Sequence, residues 1–190
     1  GYLAFAGGKV EPGDEIIPLA EELGADKTET LGCAVRELFE ETGILATSSG
    51  APAQEELKRL RLEMLAGGDA GEFFSRLRTS GANLEPGTFV EAIRLVTPRF
   101  SRRRFSSTFF LFETDKEPEI LPGELAGGGW WTPAAAIEAW RRGELLLAPP
   151  VIVILRQLAG GLDASTLESM RTSPSEFEGS GLAIPWGPGI

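Results

Sequence analysis

Residues 7–44 read GGKVEPGDEIIPLAEELGADKTETLGCAVRELFEETGI, and the chemistry of this stretch is concentrated near its end. There, Arg36 is followed by three acidic residues, Glu37, Glu40 and Glu41. In an α-helix, the i, i+3, i+4 spacing places the three carboxylates on one face, where they repel one another unless a positive charge lies among them. Hard oxygen ligands of this kind are the ones that Mg²⁺ and Mn²⁺ prefer. The stretch therefore predicts a helix with a metal-binding face, and the alternative is a solvated acidic face.

The rest of the same helix predicts where it packs and where it ends. Its apolar residues fall on a second arc, which we expect to be buried: Leu31, Ala34, Val35 and Leu38. Thr28 or Thr30 can cap the N-terminus of the helix through its hydroxyl group. Gly43 suits the left-handed conformation that commonly ends a helix.

Residues upstream of the helix support the metal interpretation. The apolar run 2–5 ends at Gly7-Gly8, and residues 11–15 (EPGDE) form an acidic turn. This order of strand, glycine loop, acidic turn and carboxylate helix resembles the Nudix box, G-x5-E-x7-R-E-x-x-E-E-x-G-hydrophobic. Gly8 matches the first glycine of the pattern, and residues 36–44 match its second half in full.

Two positions depart from the Nudix pattern. Asp14 stands where the pattern has a glutamate, with Glu15 beside it as a substitute. The spacer between Asp14 and Arg36 is 21 residues instead of seven, which corresponds to an insertion of 14 residues.

The resemblance to Nudix proteins implies an α/β fold, an α/β/α sandwich with a mixed β-sheet and extra helices inserted after the carboxylate helix. It also implies a hydrolase that acts on acid anhydrides with Mg²⁺ or Mn²⁺ as its cofactor. The implied metal ligands are Glu37, Glu40, Glu41 and the carbonyl of Gly8, and the same three glutamates form the implied catalytic set. The family allows a further catalytic glutamate from a downstream loop. Glu124 is the candidate, and a solvent-exposed loop acid is the alternative.

Arg36 lies at the edge of the carboxylate face, and we expect it to have a structural role. A pair with Asp14 or Glu15 would hold the glycine loop against the helix. Gly43 is expected to be structural as well.

Beyond the box, the periodicity of apolar residues predicts further helices and two strands. We expect helices over residues 53–66, with Leu57, Leu60, Met64 and Leu65 on one side, and over residues 71–77. The two strands are expected over residues 89–96 and 107–113. A helix over 134–142 has Thr132 as its cap and Pro133 in its first turn. The apolar run 145–158 is expected to include a short helix.

A cluster of arginines stands out in the connection between the two predicted strands. Guanidinium groups bind phosphate and diphosphate groups well, so the cluster is a candidate for substrate binding, and solvated surface is an equal alternative. Its members are Arg99, Arg102, Arg103 and Arg104.

Over residues 3–158, the order of elements resembles one branch of the Nudix family, the acyl-coenzyme A diphosphatases of the peroxisomal type and their bacterial relatives. The resemblance rests on the segments CAVRELFEETGIL, LVTPRFSRRRFSSTFFLFE and WWTPAAAIEAWRRGELLLAPP. It implies cleavage of coenzyme A or acyl-CoA into 3′,5′-ADP and (acyl-)phosphopantetheine. Two alternatives remain open. One is hydrolysis of ADP-ribose or a dinucleotide, and the other is a non-catalytic module that binds nucleotides and regulates a larger protein.

Composition excludes several classes of function. The net charge of −10 argues against a general nucleic-acid or anionic-membrane binder. The sequence has no histidine, which excludes histidine-based triads and histidine-ligated zinc, and its single cysteine, Cys33, excludes an internal disulfide. We therefore expect a small nucleotide-type molecule as the substrate, without nucleic-acid or membrane partners, and the resemblance allows a homodimer.

The expected domain organisation is a Nudix domain over residues 1–160, with its N-terminal strand missing, and a helix or linker tail over 161–190. Residues 173–190 are rich in Gly, Pro and Ser, and such a tail can lead to a further domain. No signal peptide or membrane span is visible. The expected location is the cytoplasm for a bacterial protein and the peroxisome for a eukaryotic one.

Overall fold

A computed structural model describes residues 2–19, 24–47, 49–84, 89–97, 104–121 and 125–161. Five α-helices occur in these ranges: α1 Ala25–Thr42, α2 Gln54–Leu65, α3 Ala70–Thr79, α4 Pro133–Arg141 and α5 Pro149–Leu158. A 3₁₀ turn, Asp14–Ile16, precedes α1. The strands β1 Phe89–Val96 and β2 Ser106–Phe112 pair in an antiparallel sheet. This arrangement confirms the predicted α/β class.

The chain divides into two compact units. The α1 unit consists of Ala6–Val90 and Phe112–Gly129. The strand unit consists of Gly1–Phe5, Glu91–Leu111 and Trp130–Ile190, as far as these residues are described. Most of the tail expected over 161–190 lies outside the described residues.

Helix α1 ends as predicted but begins differently. Its first turn follows Gly24, which offers no side-chain cap. Thr28 instead donates a hydrogen bond from its hydroxyl to the carbonyl of Gly24, and Thr30 donates to that of Asp26. The predicted threonine cap is therefore wrong, because both residues lie inside the helix and bond back to its preceding turn. At the other end, Gly43 has φ 74° and donates its amide hydrogen to the carbonyl of Phe39, which confirms the predicted helix end.

The buried side of α1 is only partly the one predicted. Leu31 and Val35 are buried, whereas Ala34 and Leu38 are half-buried. Phe39 is buried as well, because its ring stacks on that of Phe73 with 5.3 Å between the centroids. The helix thus packs against α3 through an aromatic contact that its apolar periodicity did not indicate.

Close packing of α1 on the 3₁₀ turn depends on Gly32. A Cβ atom at this position would lie 2.0 Å from the backbone oxygen of Asp14, and a backbone atom cannot rotate away. We expect Gly32→Ala to lower the free energy of unfolding by about 1–3 kcal/mol, although alanine favours a helix more than glycine does. Urea denaturation followed by circular dichroism would measure this change in the free energy of unfolding.

Gly24→Ala is the matched control for this substitution. No atom lies within 4 Å of the position that a Cβ at Gly24 would take, so we expect a change of less than about 1 kcal/mol. Equal destabilisation by the two substitutions would contradict the packing argument.

The buried side of helix α2 differs from the predicted one. Leu60 and Met64 are buried as expected, but Leu65 is exposed, and Arg61 takes its place in the interior with 4% exposure. Helix α3 begins at Asp69, whose carboxylate accepts a hydrogen bond from the amide of Glu72. Both strands and both C-terminal helices form within a residue or two of the predicted bounds where these were given.

In the strand unit, α5 is apolar on more than one side and has two packing partners. It packs against α4 through residues that include Val151 and Ile152. Ile154 joins a second cluster with Ala92 and Ile93 of β1. The Thr132 hydroxyl accepts a hydrogen bond from the amide of Ala135, which confirms the predicted cap of α4.

Candidate active site

Arg36 is the centre of the candidate site, although its side chain is only 3% exposed. Its Nε donates to Asp14 Oδ1 at 2.8 Å, and its Nη2 donates to Asp14 Oδ2 at 3.2 Å and to the carbonyl of Lys9 at 2.9 Å. Its Nη1 donates to Glu37 Oε1 at 2.9 Å and to Glu40 Oε1 at 3.1 Å. All five N–H donors of the guanidinium group therefore have an oxygen partner.

The acidic neighbours of Arg36 stabilise its positive charge. Burial lowers the pKa of Arg36, but the hydrogen bond and charge of Asp14, followed by Glu40 and Glu37, raise it to a larger extent. Arg36 thus stays protonated and joins the glycine loop, the 3₁₀ turn and the carboxylate face of α1.

Asp14 and Glu15 have different roles. Asp14 is fully buried, and besides Arg36 its carboxylate accepts a hydrogen bond from the amide of Glu11 at 2.8 Å. Glu15 is exposed and accepts a hydrogen bond from the amide of Gly13, within its own turn. Of the two acids, Asp14 is therefore the partner of Arg36, and Glu15 stabilises the turn locally.

Glu37 and Glu40 lie side by side next to the glycine loop. Their side chains are 15% and 17% exposed, and both bond to the same nitrogen of Arg36. A Cβ atom at Gly8 would lie 2.0 Å from Glu37 Oε1, so a larger residue at this position would displace the Glu37 carboxylate from its place beside the loop. The structure thus brings Gly8, Glu37 and Glu40 close together.

The site holds more negative charge than Arg36 neutralises. Burial raises the pKa of Glu40, and the charges of Glu37 and Glu11 raise it further, against the opposing effect of Arg36. Glu11 is exposed and was not singled out from the sequence, yet its charge reaches the site. A cation bound here would relieve this repulsion.

Glu41 is half-buried at the C-terminal end of α1. Its backbone carbonyl accepts a hydrogen bond from Nη2 of Arg61 at 2.9 Å, and the carbonyl of Glu40 accepts one from Nε of Arg61 at 3.0 Å. Within the described ranges, no three acidic or thiol side chains lie close enough together to hold a metal ion. Among the described residues, Glu37 and Glu40 therefore lie together, and a role of Glu41 as a metal ligand stays a prediction.

The remaining predicted residues fall in other places. Arg104 belongs to the strand unit and donates from Nε to the carbonyl of Thr97 at 3.1 Å. The other members of the arginine cluster and the predicted loop acid lie outside the described residues: Arg99, Arg102, Arg103 and Glu124.

Comparison with known proteins identifies the family. The human acyl-coenzyme A diphosphatase NUDT19 is 30% identical to the chain over 177 residues, covering 80% of the chain and 46% of the human protein. The Caenorhabditis elegans protein that carries the name nudix hydrolase 7 is 28% identical over 131 residues, covering 66% of the chain and 42% of that protein. The crystal structure of a NUDIX hydrolase from Alicyclobacillus acidocaldarius shares the fold, with a TM-score of 0.73 and 26% identity, and covers 92% of this chain and 83% of that one. The chain belongs to the Nudix hydrolase family.

No protein-family model matches the sequence. The chain also spans less than half the length of the two curated relatives, 42% and 46% of them. Among the helices of the described residues, none combines the length and the apolar character that crossing a membrane requires.

Arg61 is the Nudix-site neighbour that the sequence analysis missed. Only leucines and a methionine were predicted for the buried side of α2, yet Arg61 is one of three buried charged or polar residues among those described. A signal was available, because position 61 lies four residues after Leu57 and three before Met64, on the buried stripe. Leu65 was predicted on that stripe instead, and it is exposed.

The thiol of Cys33 lies next to the candidate site, where Nη2 of Arg36 contacts its sulfur at 3.7 Å. Burial, followed by the charge of Asp14, raises its pKa to about 12, against the opposing charge of Arg36. At pH 8, only about one thiol in ten thousand would be ionised, so we expect no reaction of the folded protein with Ellman's reagent within minutes. The same protein in urea should release one equivalent of chromophore, and rapid labelling of the folded protein would contradict the burial of Cys33.

Proposed function

We propose that this chain hydrolyses a diphosphate linkage in a nucleoside diphosphate compound, with Mg²⁺ or Mn²⁺ as its cofactor. The observation that carries the proposal is the pair Glu37 and Glu40, held by one nitrogen of Arg36 next to Gly8. Membership of the Nudix family supports the same reaction class.

The donor set fits a divalent metal ion. Two partly buried carboxylates offer hard oxygen ligands, and together with Asp14 they share the single positive charge of Arg36. We propose that Glu37 and Glu40 hold the ion, with Glu41 and the Gly8 carbonyl as further ligands. When bound, such an ion neutralises the charge on the diphosphate oxygens and thereby allows a nucleophile to approach.

The residues of the chain have distinct roles in this proposal. Hydrolysis adds water across the P–O–P bridge, so that an oxygen–phosphorus bond forms, the bridging bond breaks and a proton must leave the water. Glu40, a partly buried carboxylate held next to Glu37 by Arg36, is proposed to accept that proton. Arg36 orients Glu37 and Glu40 and contacts no substrate in this proposal.

Coenzyme A or acyl-CoA is the proposed substrate, with 3′,5′-ADP and (acyl-)phosphopantetheine as products. This choice is supported by the similarity to the human protein named acyl-coenzyme A diphosphatase. Arg99, Arg102, Arg103 and Arg104 are proposed to bind phosphate groups of the substrate, and Glu124 to assist as a base or ligand.

A substrate panel tests the proposal. Coenzyme A, acetyl-CoA, a long-chain acyl-CoA, ADP-ribose and a dinucleotide would be incubated with the protein and Mg²⁺ or Mn²⁺, and the products separated by chromatography. We expect metal-dependent cleavage with the CoA compounds preferred. Preference for ADP-ribose or the dinucleotide would overturn the proposed substrate. Binding without turnover of any compound would overturn the proposed hydrolysis and favour a regulatory module.

A further inference from the structure

The C-terminal end of α1 has an unfavourable concentration of negative charge. Glu37, Glu40 and Glu41 lie in its last two turns, where the helix dipole places partial negative charge and where acidic side chains are unfavourable. The last turn of α1 contains no basic residue. Arg36, one turn earlier, pairs with Glu37 and Glu40, so a cation at the last turn itself has to come from another part of the chain.

Arg61 of α2 meets this need. Its guanidinium donates to the backbone carbonyls of Glu40 at 3.0 Å and Glu41 at 2.9 Å, which are among the carbonyls that have no partner within the helix. With 4% exposure, it is buried against the helix end, unlike its neighbour Arg59, whose side chain is 64% exposed.

The same guanidinium also holds the segment 112–121. Its Nη2 donates to the carbonyl of Glu119, and the amide of Glu119 donates to the carbonyl of Thr42 at 2.8 Å. Lys116 adds a second connection, because its Nζ donates to the carbonyl of Leu45 at 2.9 Å. Arg61 thus connects three pieces of the α1 unit, namely α2, the end of α1 and the segment that leads towards residue 124.

The glycine at the end of the box makes room for this contact. A Cβ atom at Gly43 would lie 2.8 Å from Nη1 of Arg61, in addition to the strain that its left-handed backbone would cause. Gly43 therefore ends α1 and also lets the guanidinium reach the carbonyls of Glu40 and Glu41.

We propose that Arg61 is a positioning residue for the candidate active site: it fixes the backbone of Glu40 and Glu41, and with them the segment 112–121, in the arrangement needed for metal binding and turnover. This inference rests on the proposed function. Its physical basis is that three backbone carbonyls held by one planar, rigid guanidinium leave the two glutamates only their side-chain torsions to vary. Without Arg61, the last turn of α1 loses its partner and can fray.

The test compares three variants of the full chain. Arg61→Met keeps an unbranched side chain and removes every donor, and Arg61→Lys keeps the charge but cannot reach three carbonyls at once. Arg59→Met is the matched control, an exposed arginine on the same helix. The measurements are kcat and KM on the best substrate of the panel, Mn²⁺ affinity by electron paramagnetic resonance, and amide hydrogen exchange.

For Arg61→Met, we expect kcat/KM and Mn²⁺ affinity to fall about 10–100-fold, as for other residues that orient metal ligands. Exchange at the amide of Glu119 should accelerate, while exchange in α4 and α5 should stay unchanged. For Arg61→Lys, kcat/KM and Mn²⁺ affinity should lie between those of Arg61→Met and the wild type. For Arg59→Met, both should stay within about twofold of the wild type.

Two outcomes would overturn the inference alone: wild-type Mn²⁺ affinity and turnover in Arg61→Met, or accelerated exchange throughout both units, which would indicate general destabilisation. A wild-type protein that neither binds Mn²⁺ nor cleaves any compound would instead overturn the proposed function.

Discussion

Replacing Asp14 with alanine is expected to destabilise the protein by about 3 kcal/mol or more, the lower end of the cost of breaking a buried ion pair. The reason is that Asp14 is fully buried and accepts two hydrogen bonds from Arg36 and one from the amide of Glu11. Its removal leaves a buried guanidinium without its main partner, and only Glu37 and Glu40 remain to offset the charge. Urea denaturation at neutral pH would measure the change in the free energy of unfolding.

Glu15→Ala is the control for Asp14→Ala. Glu15 is the neighbouring acid, but it is exposed and bonds only within its own turn as far as the described contacts show, so we expect a loss of less than about 1 kcal/mol. Asp14→Asn should also be destabilising, because it removes the negative charge and its amide NH₂ would face a donor of Arg36 or Glu11. Similar stabilities of Asp14→Ala and Glu15→Ala would show that Asp14 does not hold Arg36 in solution.

Replacing Glu40 with glutamine is expected to lower the metal-dependent hydrolysis rate by at least about a hundredfold. The amide oxygen of glutamine can still accept a hydrogen bond from Nη1 of Arg36, so the fold should be preserved. The lost negative charge removes a ligand for the proposed metal ion and a base for the attacking water. Initial rates over a Mn²⁺ titration would separate weaker metal binding from slower turnover.

Glu55→Gln is the matched control for Glu40→Gln. It makes the same chemical change on α2, where the Glu55 side chain is 88% exposed. We expect its rate to lie within about twofold of the wild type. A Glu40→Gln protein with rates close to the wild type would overturn the role of Glu40, even if the Nudix reaction itself were observed.

The predictions from the sequence that succeeded rest on local rules of helix geometry and capping. The spacing of Glu37 and Glu40 follows from the period of a helix, and this local rule holds whatever the helix packs against. Gly43 and the Thr132 cap of α4 obey equally local rules, and both are found as predicted. Thr28 and Thr30 show the limit of such rules, because α1 begins before both of them, at Ala25, and neither therefore stands at the cap position.

Contacts between distant residues could not be predicted in the same way. Arg36 and Asp14 are 22 residues apart, and Arg61 and Glu40 are 21 residues apart. The sequence offered both Asp14 and Glu15 as partners for Arg36, and only the packing of the 3₁₀ turn against Gly32 places Asp14 in the interior. Similarly, Arg61 resembles any arginine of an amphipathic helix until α2 packs beside the end of α1.

The sequence by itself thus determined the family pattern, the α/β class and the helix that carries the carboxylates, because each depends on local spacing and turn chemistry. The tertiary structure decided which acid neutralises Arg36, which arginine supports the end of α1, and that Glu37 and Glu40 share one guanidinium nitrogen. These contacts depend on how separate segments pack, since a buried charge is stable only where partners from other segments reach it.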